Sequence, residues 1–237
     1  MIYWIKKLTN NFKSCISLIS SLPAGNYEPT NSLLNAMFFV TALLQGLAGI
    51  LLVFRKSDID IAIYILIKGL LTGWLHEDAL IDCADASEKP TIKARLRTLK
   101  TSNIGSYGSC TLNSLTLLEY TILKRFNNDF LSKSCMISSM ISYLSMMWHW
   151  RTTHHVYDDA FKSPKLVNVI TWTILSVFII WKFLSFKYVL MLIISQWLLI
   201  KSINTWTLDR FGGQTGDSLG SIKKLSEILC LLILSKQ

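Results

Sequence analysis

The segment from His76 to Ala86 reads HEDALIDCADA and carries three aspartates at a spacing that a helix brings together. Asp78, Asp82 and Asp85 stand at i, i+4 and i+7, so at about 100° per residue they share one narrow face. Like charges packed this closely repel one another unless a cation lies among them, and Mg²⁺ prefers oxygen ligands of this kind. The spacing therefore indicates a Mg²⁺ site, and the alternative is a solvated acidic face at a helix end.

A second candidate segment runs from Gly212 to Gly220 and reads GGQTGDSLG. Its four glycines in nine residues permit a close approach between the backbone and a ligand. The segment leads into a predicted helix, whose first amides favour anions. Asp217 is either a further metal ligand or the residue that caps this helix.

The residues between these two segments include a basic stretch and a histidine-rich stretch. Residues 86–103 carry five lysines and arginines against one glutamate, and the sequence IGSYG follows at Ile104 to Gly108. The basic stretch suits an anionic substrate, and it equally suits a loop that sets topology or binds lipid. The pairs His154/Asp158 and His155/Asp159 have metal-ligand spacing, although we favour a polar interfacial loop there.

Composition places these segments in a membrane protein. Of the 237 residues, 51% are hydrophobic and 16% are charged, against about 25% charged in soluble domains. The apolar residues come in long blocks, which excludes a disordered chain and disfavours a compact water-soluble one. The net charge is 24 − 15 = +9. The five scattered cysteines have no spacing typical of a zinc site or a disulfide framework.

The apolar blocks predict an all-α, polytopic membrane bundle with about seven transmembrane helices. Residues 33–54 contain no charge and are long enough to cross a bilayer. The further predicted spans are 61–75, 104–123, 134–150, two within 166–200 divided near Lys182 to Lys187, and 219–235. We predict a single domain over residues 1–237, with an interfacial segment at 1–30. The basic loop at 86–103 should face the cytoplasm.

The three motifs together resemble those of the cobalamin synthase (adenosylcobinamide-GDP ribazoletransferase) family. HEDALIDCADA, LKTSNIGSYG and GGQTGDSLG occur in the family's order, and Leu22-Pro23 stands where the family has an Arg-Leu-Pro-like segment. The resemblance implies a multi-pass enzyme of a prokaryotic inner membrane, with its motif loops on the cytoplasmic side. With Mg²⁺ it would join adenosylcobinamide-GDP to α-ribazole, or its 5′-phosphate, and release GMP. It implies contact with membrane lipid and none with nucleic acid, and it does not define an oligomeric state.

The resemblance also implies roles for individual residues. The implied metal ligands are Asp78, Asp82, Asp85 and Asp217. The implied catalytic residues are Asp78, Asp82 and His76, one of which would take the proton of the attacking hydroxyl. The implied substrate contacts are Lys100, Ser102, Gly105, Gly212, Gly213, Thr215 and Gly216.

The chain departs from the family pattern at positions that would hold phosphate or metal. Thr101 stands where the family has Asp, and Asn103 and Ser21 stand where it has Arg. Two other functions remain open. One is a lipid phosphotransferase of the CDP-alcohol type, whose Asp-Gly-x-x-Ala-Arg signature this sequence lacks. The other is a membrane protein of the same fold that has lost the reaction.

Overall fold

The computed structural model describes Gly49, residues 57–157 and residues 163–237. The predicted interfacial segment 1–30 and nearly all of the predicted span 33–54 lie outside these residues. Within them the chain is all-helical, as the sequence predicts. The eight helices are α1 (Asp58–Thr72), α2 (Leu75–Ser87), α3 (Ile92–Thr98), α4 (Ser106–Arg125), α5 (Asn128–Thr152), α6 (Leu166–Trp181), α7 (Phe186–Phe211) and α8 (Gly216–Leu234).

A sharp corner separates α1 from α2 and turns the chain by 87°. Gly73 and Trp74 both adopt left-handed backbone angles, with φ of 59° and 54°. The amide of Trp74 donates to the carbonyl of Gly69, and the Trp74 indole lies where a side chain on residue 69 would have to go. The acidic motif begins directly after this corner, so the corner sets the direction in which α2 leaves the apolar run.

The basic segment contains a short helix that the sequence did not predict. Thr91 caps α3 by accepting a hydrogen bond from the amide of Ala94. Arg95 Nη1 then donates to the carbonyl of Arg210, 3.1 Å away near the end of α7. A cation favours this place because the last carbonyls of a helix carry partial negative charge. The basic segment therefore lies at the same end of the molecule as the start of α8.

Helix α8 forms the centre of the described structure and is buried along nearly its whole length. Its apolar residues, including Ile228, Leu231 and Leu234, belong to a core shared with α1, α4, α5 and α7. Polar contacts also join the helices, since Gln196 Oε1 of α7 accepts from Ser226 of α8 and Ser145 of α5. Such hydrogen bonds between small polar side chains are common where helices pack in membranes.

The described helices lie where the sequence predicts spans, but few of them are long and apolar enough to cross a membrane. Helices α4, α5, α6, α7 and α8 cover the predicted runs, and the break near Lys182 to Lys187 falls between α6 and α7. Among the described residues, α7 alone is long and apolar enough to cross a membrane by itself. The bent pair α1–α2 qualifies if it is one span, and α6 is a shorter apolar helix. The number seven therefore stays a prediction.

Candidate active site

The acidic motif forms helix α2, and its aspartates share one face as the spacing predicts. Asp78 is exposed, Asp82 is half-buried and Asp85 is buried. The flank of the helix beside this face is apolar and packs into the bundle through residues such as Ala79, Cys83 and Ala86. The environment of the three carboxylates therefore changes steadily from solvent towards the interior along the helix.

Helix α8 brings a fourth carboxylate to this face. A Cβ on Gly220 would lie 2.5 Å from the Cβ of Ala79, so only a glycine permits this close approach of α8 to α2. One residue later, Ser221 Oγ donates to the carbonyl of Ala79 at 3.0 Å. Asp217 lies one turn before this contact, in the first turn of α8. Asp82 is within electrostatic range of both Asp78 and Asp217.

Burial changes the chemistry of Asp217. Its pKa is raised to about 6, because burial penalises the charged carboxylate and the charge of Asp78 adds to the effect. Its own helix amide partly offsets this rise. A carboxylate held in this way gains from any positive charge placed beside it.

The carboxylates of this face carry charge that the protein does not neutralise. No lysine or arginine among the described residues forms an ion pair with Asp78, Asp82 or Asp217. The buried glutamates Glu77 and Glu119, by contrast, are paired with lysines. An acidic face without a protein counter-charge, built from hard oxygen donors, suits a divalent cation.

The carboxylates do not form a closed cage. In the described part of the chain, no three His, Cys, Asp or Glu side chains converge tightly enough to enclose a metal ion by themselves. Mg²⁺ sites commonly use one or two carboxylates and complete the shell with water and substrate phosphates. An open face with Asp78, Asp82 and Asp217 fits a site of this kind.

Asp85 serves a structural purpose. Its Oδ2 accepts from the amide of Gly105 at 2.7 Å, and its Oδ1 accepts from the amide of Gly108 at 2.8 Å. A Cβ on either glycine would come within about 2.5 Å of these oxygens, which explains the spacing of glycines in IGSYG. Asp85 therefore caps α4 from a neighbouring helix. Both of its oxygens are already engaged in these hydrogen bonds. Its role as a metal ligand stays a prediction.

The glycine-rich loop is held by the end of α5 and the residues that follow it. Gly212 ends α7 with a φ of 77°, and its carbonyl lies 2.7 Å from His154 Nε2. The amide of Gln214 donates to the carbonyl of His154 at 2.9 Å. Thr215 then caps α8 in a reciprocal pair of hydrogen bonds with Ser218. His154 thus supports the loop, while Asp158 and Asp159 lie outside the described residues.

The predicted substrate contacts divide into open and occupied positions. Gly212 and Gly216 are exposed, and a side chain at either would meet no atom within 4 Å. Lys100 and Ser102 are also exposed. Three other positions are already engaged within the protein, namely Gly105 with Asp85, Gly213 against His154 and Thr215 with Ser218.

His76 lies on the other side of α2 from the acidic face. It is 3% exposed, and its Nε2 lies 2.9 Å from the hydroxyl of Tyr143 in α5. Two residues along a helix correspond to about 200°, so His76 and Asp78 point in nearly opposite directions. This geometry favours an aspartate over His76 as the group nearest an exposed substrate.

Two polar arrangements near the site were missed at the level of sequence. His149 of α5 lies 2.5 Å from Asn204 Oδ1 of α7 and 3.2 Å from Ser218 Oγ of α8. Beneath α2 there is also a buried cluster of lysines and glutamates. Of this cluster, only the i, i+4 spacing of Lys223 and Glu227 gives a local signal of an ion pair.

A well-defined cavity lies apart from the aspartates. It measures about 460 Å³ and lies between α5, α6 and α7. Its walls are mainly apolar, with Trp148, Ile180 and Leu192 among them, and Asn204 is among its polar lining residues. None of the four aspartates lines it, so the candidate site is the open face between α2 and α8.

The fold and the site define an all-helical protein with an open acidic centre between two tightly packed helices. The family model described as cobalamin-5-phosphate synthase matches residues 11–235, and the chain belongs to this family. It is accordingly a transferase of cobalamin biosynthesis.

Several relatives carry the name adenosylcobinamide-GDP ribazoletransferase. The protein of Vibrio cholerae serotype O1 is 30% identical over 243 residues, covering 96% of this chain and 91% of its own. That of Shewanella piezotolerans is 29% identical over 175 residues, covering 70% and 68%. That of Clostridium botulinum is 26% identical over 249 residues, covering 97% and 99%. No solved structure matches the chain.

Proposed function

We propose that this protein transfers the adenosylcobinamide-phosphate group from adenosylcobinamide-GDP to α-ribazole or its 5′-phosphate, with Mg²⁺, and releases GMP. The observation that carries the proposal is the close packing of α8 against α2 at Gly220 and Ser221, which brings Asp217 within electrostatic range of Asp78 and Asp82 on one uncompensated face. A pyrophosphate substrate is itself negatively charged, so it can bind at such a face only together with cations. Bound Mg²⁺ would neutralise that charge and align the phosphates.

The reaction is a phosphoryl transfer in which a ribose hydroxyl attacks phosphorus and GMP leaves. Asp78 and Asp82 both have access to solvent, so one of them would take the proton of the attacking hydroxyl. The exposed start of α8 at Gly216 would receive phosphate oxygens. The metal would be held by Asp78, Asp82 and Asp217.

The basic segment supplies cations at the same end of the molecule. Lys93, Arg97 and Lys100 are exposed, whereas Arg95 is engaged with the end of α7. These side chains would compensate for the family arginines that are absent at Asn103 and Ser21. We place the substrates on the cytoplasmic side of an inner membrane that the protein crosses several times.

The test follows GMP release in membranes that contain this protein, adenosylcobinamide-GDP, α-ribazole 5′-phosphate and Mg²⁺. Asp82→Asn should lower the rate by at least about 100-fold, as expected for loss of a proton acceptor or metal ligand. Asp209→Asn removes an exposed carboxylate of α7 and should leave the rate unchanged. GMP release equal to that of Asp82→Asn membranes would contradict the proposal and favour a protein that keeps the fold without the reaction.

A further inference from the structure

Six charged side chains are buried together beneath the acidic face. They come from α1, α2, α4 and α8, and each is at most 9% exposed. The cluster contains three lysines and three glutamates, so its formal charge is zero. Its members are Lys68, Glu77, Glu119, Lys223, Lys224 and Glu227.

The ion pairs of this cluster tie α8 to its neighbours. Lys224 Nζ lies 2.7 Å from Glu77 Oε1 and 2.8 Å from Glu119 Oε2, which joins α8 to α2 and α4. Lys68 of α1 pairs with Glu119 and also with Glu227, the latter at 3.1 Å. Lys223 differs from the other lysines because it pairs only within α8, with Glu227 at 2.7 Å.

Such a cluster is a poor way to gain stability. Removing charges from water costs about as much as, or more than, their mutual attraction returns, and apolar residues of similar volume often pack as well. Buried ionic groups are better explained where they fix one register between helices. The cluster is therefore explained by the helix register that it fixes.

The positions of the cluster along α8 identify this register as the one between α8 and α2. Asp217, Gly220, Ser221 and Lys224 share one face of α8, since seven residues correspond to two turns and about 10 Å. Gly220 and Ser221 contact Ala79 of α2, and Lys224 holds Glu77, the neighbour of Asp78. The contact surface between α2 and α8 thus carries the metal-type carboxylates at one end and the ion pair at the other.

We infer that the Lys224–Glu77 ion pair is a positioning device that fixes the register of α8 against α2 and thereby sets the divalent-cation affinity of the acidic centre. The inference rests on the proposed function for its biological meaning. A slip of one residue along α8 would move Asp217 by about 1.5 Å and 100° away from Asp78 and Asp82. Lys224 and Glu77 are positioning residues and contact neither the cation nor the substrate.

Lys223 provides a matched control for Lys224. Both are lysines, both are buried and they are adjacent, but the ion pair of Lys223 is within α8. Its contact with another helix is with the Tyr143 ring of α5, 5.4 Å away, and not with α2. Lys224→Met and Lys223→Met therefore remove the same charge and length from the same depth. A purely structural cluster would respond similarly to both substitutions, whereas a register device responds to the first.

The experiment measures Mn²⁺ binding by electron paramagnetic resonance, using the full chain in lipid nanodiscs without substrate. Lys224→Met should raise the dissociation constant by about 10-fold or more, the range found when groups that orient metal ligands are removed. Lys223→Met should change the dissociation constant by less than about 3-fold, even if it lowers the melting temperature as much as Lys224→Met does. Equal changes in the two variants, or no Mn²⁺ binding by the unaltered protein, would overturn the inference.

A double variant covers the case in which Lys224→Met does not fold. Lys224→Met with Glu77→Gln neutralises both ends of the α8–α2 ion pair and leaves Glu119 paired with Lys68. It should fold and still bind Mn²⁺ about 10-fold more weakly. Binding equal to that of the unaltered protein would overturn the inference.

Activity separates this inference from the proposed function. Where the unaltered protein transfers the group, Lys224→Met should raise the half-saturating Mg²⁺ concentration more than it lowers kcat at saturating Mg²⁺. A protein that binds Mn²⁺ in a Lys224-dependent manner but releases no GMP would contradict the proposed function and support the register inference.

Discussion

At the scale of the residue, the three aspartates of the α2 motif have similar sequence contexts but different structural roles. Asp78 and Asp82 face outward without a counter-charge, whereas both oxygens of Asp85 are hydrogen-bonded to the start of α4. The i, i+4, i+7 spacing predicts that they share a face. The spacing cannot predict which aspartates face outward and which is hydrogen-bonded, because this depends on which helix approaches each carboxylate.

Asp85→Asn tests the capping duty of Asp85. An asparagine presents one acceptor and one donor to two backbone N–H donors, so one of these amides loses its partner. We expect a loss of about 1–2 kcal/mol in the free energy of unfolding and faster hydrogen exchange at Gly105 and Gly108. Asp209→Asn is the control for loss of an exposed carboxylate. Unchanged exchange at both glycines would contradict the capping role.

Asp217 makes the stability of the metal-free protein depend on pH. Its pKa is 3.8 in a model compound and about 6 in the fold, so between these values the folded state binds more protons than the unfolded state. Stability from this group is therefore lost as the pH rises through this range. We expect Asp217→Asn to flatten the melting temperature between pH 4 and pH 6.5 relative to the unaltered protein, and Mg²⁺ to reduce the fall. The same slope in both proteins would contradict this assignment.

At the scale of the element, the decisive contact is the close approach of α8 to α2 at Gly220. Gly220→Ala introduces a methyl group where the Cβ of Ala79 would be 2.5 Å away, so the helices must separate. We expect a cost of about 1–3 kcal/mol in thermal or denaturant unfolding, together with weaker Mn²⁺ binding. Gly216→Ala is the matched control on the same helix, since it meets no atom within 4 Å. Equal stability of the two variants would contradict the contact.

Helix positions could be predicted from the sequence because apolar blocks and breaks are local signals. Helices α4 to α8 overlap the predicted runs, and α2 follows from its spacing. The limits are less local: α5 begins six residues before its predicted run, and α7 ends eleven residues after its own. The 87° corner at Gly73 and Trp74 could not be predicted in this way, because a left-handed tryptophan has no local signal. The pairing of Lys224 with Glu77 and Glu119 joins residues 147 and 105 positions apart, so it depends on the assembled bundle.

At the scale of the whole molecule, the hairpin of α6 and α7 defines two ends of the bundle. Lys182 lies at the turn between these helices, and Lys93 lies near the other end of α7, where Arg95 contacts Arg210. The 26 residues of α7 span about 39 Å, which exceeds the hydrocarbon thickness of a bilayer. Sites at the two ends should therefore be exposed on opposite sides of the membrane.

Cysteine labelling in cells checks this arrangement. In a background with Cys15 and Cys110 replaced by serine, an impermeant thiol reagent should label Lys182→Cys in intact cells. It should label Lys93→Cys only after the inner membrane is opened, because the motif loops are predicted to face the cytoplasm. Labelling of both positions in intact cells would contradict the proposed topology.

The zero net charge of the buried cluster has a consequence for how the protein is made. Lys68, Glu77 and Glu119 leave the ribosome well before Lys224 and Glu227, which lie between 105 and 159 residues later than their partners. Until α8 is synthesised, the earlier helices carry charges whose full set of partners does not exist, and such charges are costly in a bilayer. Nascent chains that stop before α8 should therefore remain sensitive to protease, and completion of α8 should trigger assembly of the interior.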